Sequence, residues 1–193
     1  MKTTKKALLL ALCAVLLVVS TVFATMAYLT STTDVVKNTF TIGNVKITLD
    51  EAKVDVYGEY VTDVTNRVTE NTYKLMPGHT YVKDPTIHVD ANSEDCWLFV
   101  KVVDGIAAIQ DVTTVESQML NNGWLKLNDN VWYYNKVVSK NTDVPVFENF
   151  KVLGNADVAD YDGKTITVIG YAVQADGFEY ASDAWAAAPA DWN

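Results

Sequence analysis

Apolar and polar side chains alternate with a period of two just beyond residue 40. In Phe40-Thr41-Ile42-Gly43-Asn44-Val45-Lys46-Ile47-Thr48-Leu49, apolar groups stand at 40, 42, 45, 47 and 49. The one-residue slip at Gly43-Asn44 predicts a bulge or bend within a strand. Further strands are predicted over 54–61, 81–89, 97–103, 131–138, 144–153 and 165–175. Between them lie Met76-Pro77-Gly78, Ala91-Asn92-Ser93-Glu94-Asp95, Asn128-Asp129-Asn130 and Asp160-Tyr161-Asp162-Gly163, all turn-forming chemistry. Helix is predicted only over 113–121 and 182–188, where Ser182-Asp183-Ala184-Trp185 opens the second helix and Pro189 limits it. Many strands, few helices and frequent turns predict an all-β, jelly-roll-like β-sandwich with short helical insertions over residues 39–193.

The first 27 residues follow a different pattern. After Met1-Lys2-Thr3-Thr4-Lys5-Lys6 there is no charge until Asp34, and Ala7 to Val19 is unbroken apolar sequence. A basic start, an apolar stretch and the small residues Ala24-Thr25-Met26-Ala27 make a secretory signal peptide, with cleavage expected between Ala27 and Tyr28. An uncleaved membrane anchor is the alternative, since about 20 apolar residues suffice to span a bilayer. In either case Lys2, Lys5 and Lys6 stay on the cytoplasmic side and residues 28 onward face outward.

Composition sharpens both predictions once the signal is set aside. Residues 28–193 hold 24 Val, 17 Thr and 7 Ile against 8 Leu, an excess of β-branched side chains that fit a pleated sheet better than a helix. The same segment holds all 24 acidic residues and 12 of the 15 Lys and Arg, a charge of −12. That balance argues against nucleic acid and anionic membrane surfaces as partners. Cys13 leaves with the signal, so Cys96 has no intrachain disulfide partner in an oxidising compartment.

Catalytic chemistry has few places to reside. The two histidines are His79, in the Pro77-Gly78-His79 turn, and His88, which alternates with Ile87 and Val89 and so points off the core face. No H-E-x-x-H, G-x-S-x-G, C-x-x-C or Gly-rich phosphate loop is present. Cys96 opens the run Cys96-Trp97-Leu98-Phe99-Val100, where a lone Cys reads as a small buried hydrophobe rather than a nucleophile. Two His and one Cys also fall short of a zinc set. The acidic runs at 90–95 and 157–162 offer oxygen ligands, but the first lacks the EF-hand glycine and has Lys101 where the closing Glu belongs. They read as solvated turns, and no metal or other cofactor is expected. Five Trp and ten Tyr invite a sugar-stacking reading, against which Trp97 with Phe99, and Trp132 with Tyr134, read as core-facing pairs along strands.

Three segments carry a resemblance. They are Ala24-Thr25-Met26-Ala27-Tyr28-Leu29-Thr30-Ser31 with Val35-Val36-Lys37-Asn38-Thr39-Phe40-Thr41-Ile42-Gly43-Asn44-Val45; Leu75-Met76-Pro77-Gly78-His79-Thr80-Tyr81; and Cys96-Trp97-Leu98-Phe99-Val100-Lys101-Val102. Together they resemble the TasA and camelysin family of exported Gram-positive proteins, whose signal peptides are cut by the signal peptidase SipW. The likeness covers about the first 75 mature residues.

The resemblance implies a secreted jelly-roll subunit of the extracellular biofilm matrix. It implies self-assembly into fibres by donation of residues 28–38 to a neighbouring sheet, with accessory matrix proteins as further partners. The candidate donor interface is Tyr28, Leu29, Thr30, Val35 and Val36, in a stretch that is β-prone, uncharged up to Asp34 and free of Pro and Gly. Two alternatives stand beside it: a cell-surface module binding glycan or a matrix protein, and a camelysin-like surface protease, for which the sequence supplies no metal-ligand motif.

Overall fold

The computed structural model describes Lys6, residues 12–16 and residues 44–188. The chain divides into two units, Met1–Thr41 and Ile42–Asn193. In the first, Lys6 and residues 12–16 are helical. The predicted signal cleavage at Ala27-Tyr28 and the donor residues Leu29, Thr30, Val35 and Val36 lie outside the described residues. No helix among the described residues is long and apolar enough to cross a membrane.

The second unit is built mainly from antiparallel strands: β1 (Ile47–Ala52), β2 (Arg67–Val68), β3 (Thr80–Val82), β4 (Thr86–Val89), β5 (Cys96–Asp104), β6 (Trp124–Lys126), β7 (Val131–Tyr134), β8 (Thr142–Pro145), β9 (Asn149–Lys151) and β10 (Ile166–Gln174). Sheet one has the order β2-β1-β4-β8, sheet two the order β10-β5-β7-β6, and β3 pairs with β9. Helices α1 (Val115–Asn121) and α2 (Ala181–Trp185) lie between β5 and β6 and after β10.

The two larger sheets share one core. Ile87 and Val89 from β4 and Val144 from β8 meet Leu98, Val100 and Val102 from β5 and Trp132 from β7, all buried. This is the sandwich that period-two alternation predicts, because each strand sends every second side chain inward. On β5 the opposite set, Trp97 and Phe99, is buried as well, against Ala181 and Ala184 of α2. The β5 strand is therefore covered on both faces, which explains its nearly continuous apolar sequence.

Several predicted strands are divided or shortened. The run 54–61 is a turn closed by the single bridge Val54↔Tyr60. Asp55 Oδ1 accepts the Tyr57 and Glu59 amides at 2.9 and 3.0 Å, and that side-chain turn overrides the alternation. Gly58, at φ +77°, lies where a Cβ would stand 2.7 Å from the Tyr81 Cα. The run 81–89 becomes β3 and β4 because Pro85 lacks a backbone N–H and the Asp84 carboxylate takes the Ala52 amide at 2.7 Å. The run 144–153 likewise splits into β8, in sheet one, and β9, paired with β3. The run 131–138 stops at Tyr134, and Val138 rejoins the sheet through a bridge to Cys96.

Both helices form close to the predicted positions. In α1 the Thr114 hydroxyl accepts the Ser117 amide at 3.1 Å as N-cap. In α2 the first helical residue is Ala181, Tyr180 provides no side-chain cap, and the helix ends at Trp185, short of the predicted 188. The segment after α1 holds the edge strand β6.

Candidate functional site

An open groove of about 1020 Å³ runs between the two sheets, lined by β1 at Leu49–Glu51, by residues 69–75 and by β10 at Ile166–Val168. Its walls mix apolar side chains such as Leu49, Tyr73, Leu75, Ile106 and Phe150 with polar ones such as Glu51, Asn71 and Lys83. Tyr73 meets Tyr81 and Phe150 edge-on, with ring centroids 5.8 and 5.4 Å apart. Burial, with the nearby Glu51 and Asp84 charges, pushes the Tyr73 phenol far above its ordinary range. It stays a neutral donor and bonds the Val82 carbonyl at 3.0 Å.

The groove exists because two strand edges face each other without joining. On β10, the hydrogen-bonded pairs with β5 fall at odd residues, as shown by Gly105 N–H donating to Thr165 O and Ala175 N–H donating to Asp95 O. In an antiparallel ladder the intervening residues turn their N–H and C=O the other way. Ile166, Val168, Gly170, Ala172 and Gln174 therefore present their main chain outward, and among the described residues no strand pairs with them. On β1, Asp90 N–H donates to Lys46 O, so Ile47 and Leu49 turn theirs outward. The sheets close at one end, where Ile47 Cδ1 and Ile87 Cδ1 approach within 3.4 Å of a Cβ built on Gly170. Towards Ile166 they part. Ile166, Val168 and Ala172 face the core but are only half-buried.

A polar ladder on sheet one supports the β1 side of the groove. Arg67 on β2 donates Nε to Asp50 Oδ1 and Nη1 to Asp84 Oδ2, each at 2.6 Å. His88 on β4 then bridges Asp50 Oδ1 (3.0 Å) and Asp143 Oδ1 of β8 (2.6 Å). Burial works to lower the His88 pKa, but the bonds and charges of Asp143 and Asp50 outweigh it and the net shift is upward. For Asp50 burial works upward and the Arg67 and His88 partners prevail, so its carboxyl lies below the ordinary carboxylate value.

The remaining sequence candidates occupy separate places. Cys96 is fully buried, and burial with the Asp95 charge pushes its thiol up to about 11, away from a reactive thiolate. His79 Nε2 lies 2.8 Å from Tyr57 O, and His88 points off the core face as its alternation predicts. Asp90 is engaged by the Asn92 amide and Lys46 Nζ, each at 2.9 Å. Among the described residues no cluster of three His, Cys, Asp or Glu is placed to hold a metal ion. Trp97, Phe99 and Trp132 are buried, Tyr134 is half-buried against the core, and the exposed aromatic rings include Tyr57, Tyr60 and Tyr180.

The sequence offers a candidate donor segment but does not point to the groove. The absence of any charge or Pro in Ile166–Gln174 was the available signal, because exposed edge strands ordinarily carry such residues. No family model, no curated protein and no solved structure matches this chain.

Proposed function

We propose that this protein is a secreted structural subunit of an extracellular matrix, released by cleavage after Ala27 and assembled into fibres by strand donation. The observation that carries the proposal is the groove flanked by the unpaired edges of β10 and β1. An incoming strand gains main-chain hydrogen bonds from such an edge, and pockets for alternate side chains give specificity. The occupant is the segment Tyr28–Asn38 of a second copy. Its 11 residues are enough to follow the nine of β10, a span of about 30 Å at 3.3 Å per residue.

Leu29, Ser31, Thr33 and Val35 share one face of that segment and enter the groove, with Lys37 of the same face at the segment's end and Asp34 on the other face. Tyr28, Thr30 and Val36 then line the outer face of the added strand. Donation from one copy to the next is heterologous and does not close, so it produces a filament. The alternation of β4, β5, β8 and β10 between the sheets supports a jelly-roll connectivity, with the donated strand extending sheet two. The TasA and camelysin resemblance points to the same assembly, to SipW as the processing enzyme and to a biofilm matrix as the location. On this reading the role is structural and uses no cofactor.

Electron microscopy of the mature protein with and without residues 28–38 tests the assembly. The full mature chain is expected to form filaments and the truncated chain to remain a folded monomer. Filaments that persist without residues 28–38 overturn strand donation by this segment.

A further inference from the structure

One wall of the groove holds a lysine amine, a carboxamide and a carboxylate in a single cluster. Lys83 Nζ lies 2.5 Å from Glu51 Oε2, and Asn71 Nδ2 donates to Glu51 Oε1 at 2.9 Å. The two nitrogen groups thus sit on opposite oxygens of one carboxylate. The cluster is withdrawn from water, with side-chain exposures of 11% for Lys83 and 6% for Glu51. Asn71 is fixed further by Nδ2 donating to Ala52 O at 2.8 Å and by Oδ1 accepting the Val54 amide at 3.0 Å. The Tyr73 ring lies 6.0 Å from Lys83 Nζ and forms a neighbouring wall.

A plain ion pair does not require this arrangement. Burying one Lys and one carboxylate costs several kcal/mol per ion before their attraction is counted, and nothing in that pairing calls for a carboxamide held at both its oxygen and its nitrogen. The three groups together are the components of amide exchange: a nucleophilic amine, an acyl group and a proton carrier that touches both.

We propose that Lys83 and Asn71 join in an intramolecular isopeptide bond, with Glu51 as the proton carrier. Glu51 takes a proton from the Lys83 ammonium. The freed Nζ electron pair forms a bond to Asn71 Cγ, and the carbonyl π pair moves onto Oδ1, where the Val54 N–H stabilises the charge. Glu51 passes its proton to Nδ2 and takes the second proton from Nζ. The Cγ–Nδ2 bond breaks as the carbonyl re-forms, and the nitrogen leaves as ammonia, which recovers the last proton from Glu51 and departs through the open groove as ammonium. The sum is an ammonium and a carboxamide converted to a secondary amide and an ammonium ion. Nothing is oxidised or reduced, and no co-reactant is needed.

The bond would tie residue 71 to residue 83 across the Met76-Pro77-Gly78-His79 turn and fix the groove wall whether or not a strand occupies it. It stands independently of the fibre proposal, since a cross-linked monomer is as consistent with it as a cross-linked filament.

Intact mass of the purified, denatured full-length chain tests it. The expected mass is below the sequence mass by one ammonia, about 17 Da. Fragmentation is expected to recover the segments containing Asn71 and Lys83 as one covalently joined pair. A succinimide at Asn122-Gly123 loses the same mass, so a deficit mapping there overturns the proposal, as does an undiminished mass. Lys83→Arg and Glu51→Gln chains are each expected to show the full mass, and loss of ammonia persisting in Lys83→Arg overturns it. The unsubstituted chain alone decides the question if either variant fails to fold.

Discussion

Sheet two ends on one side in β6 and on the other in β10, and the two edges are built in opposite ways. Strand β6 is three residues long, carries Lys126 and is packed by α1, whose Glu116 pairs with Lys126 at 3.1 Å. Shortness, a lysine and a covering helix are the ordinary devices that keep a sheet edge from recruiting another chain. Strand β10 has nine residues, no charge, no Pro and, among the described residues, no strand on its outer side. Among the described residues sheet two is thus blunted on the β6 side and open on the β10 side, the side that the proposed strand donation would extend.

A pair of prolines breaks the comparison most sharply, because neighbouring residues of β10 point their amides in opposite directions. Ile169 turns its N–H towards β5, so Ile169→Pro removes a bond from the central ladder and is expected to destabilise the monomer by about 3 kcal/mol or more. Val168 turns its N–H to the open side. Val168→Pro is expected to leave a monomer with cooperative unfolding but to eliminate filaments. Thermal melts and electron microscopy on both variants read the difference, and equal loss of monomer stability would show that β10 is not an edge.

The protected edge depends on Trp124, the first residue of β6. It is fully buried and donates Nε1–H to Pro145 O at 2.9 Å, tying sheet two to β8 of sheet one. Trp124→Ala is expected to cost about 3–5 kcal/mol, measured by urea titration. A loss below about 1 kcal/mol would mean the cavity collapses without penalty.

How far these features were legible in the sequence depends on how local they are. Strands β5 and β10 follow from their apolar, β-branched runs, and the outward direction of His88 from its apolar neighbours. The division of 81–89 and 144–153 did not follow from alternation, because both halves keep the same period and only their partners differ. Asp84-Pro85 was the available mark for the first break. The groove was not legible for a similar reason: it is defined by which strands fail to pair, and it brings together residues as distant as Ile47 and Gly170. The Glu51, Asn71 and Lys83 cluster gathers residues from three segments, and each looks like an ordinary surface residue in its own segment.

The support of the β1 edge gives a smaller, pH-dependent effect. A histidine whose folded pKa is raised stabilises the fold fully below its unfolded value, about 6.5, and that contribution is lost as pH rises through the folded value. Thermal midpoints are therefore expected to fall on going from pH 6 to pH 8, and His88→Gln is expected to flatten that part of the profile. Asp50 acts in the opposite sense. Its lowered pKa contributes stability above about 3.8, lost as pH falls through the folded value. A profile unchanged in His88→Gln would remove the ladder as a support of the groove.

The smallest effect concerns the cover of the blunted edge. Thr114 accepts the Ser117 amide with its hydroxyl and so satisfies one of the free donors at the start of α1. Thr114→Ala is expected to cost about 1 kcal/mol, and the loss falls on the helix that packs against β6 rather than on β10. Hydrogen exchange should therefore quicken in α1 and β6 while β10 amides keep their rates. If the covered edge is protected by its helix, this variant also gains a slow concentration-dependent association that is independent of residues 28–38. If the shortness of β6 is protection enough, it stays monomeric when that segment is removed.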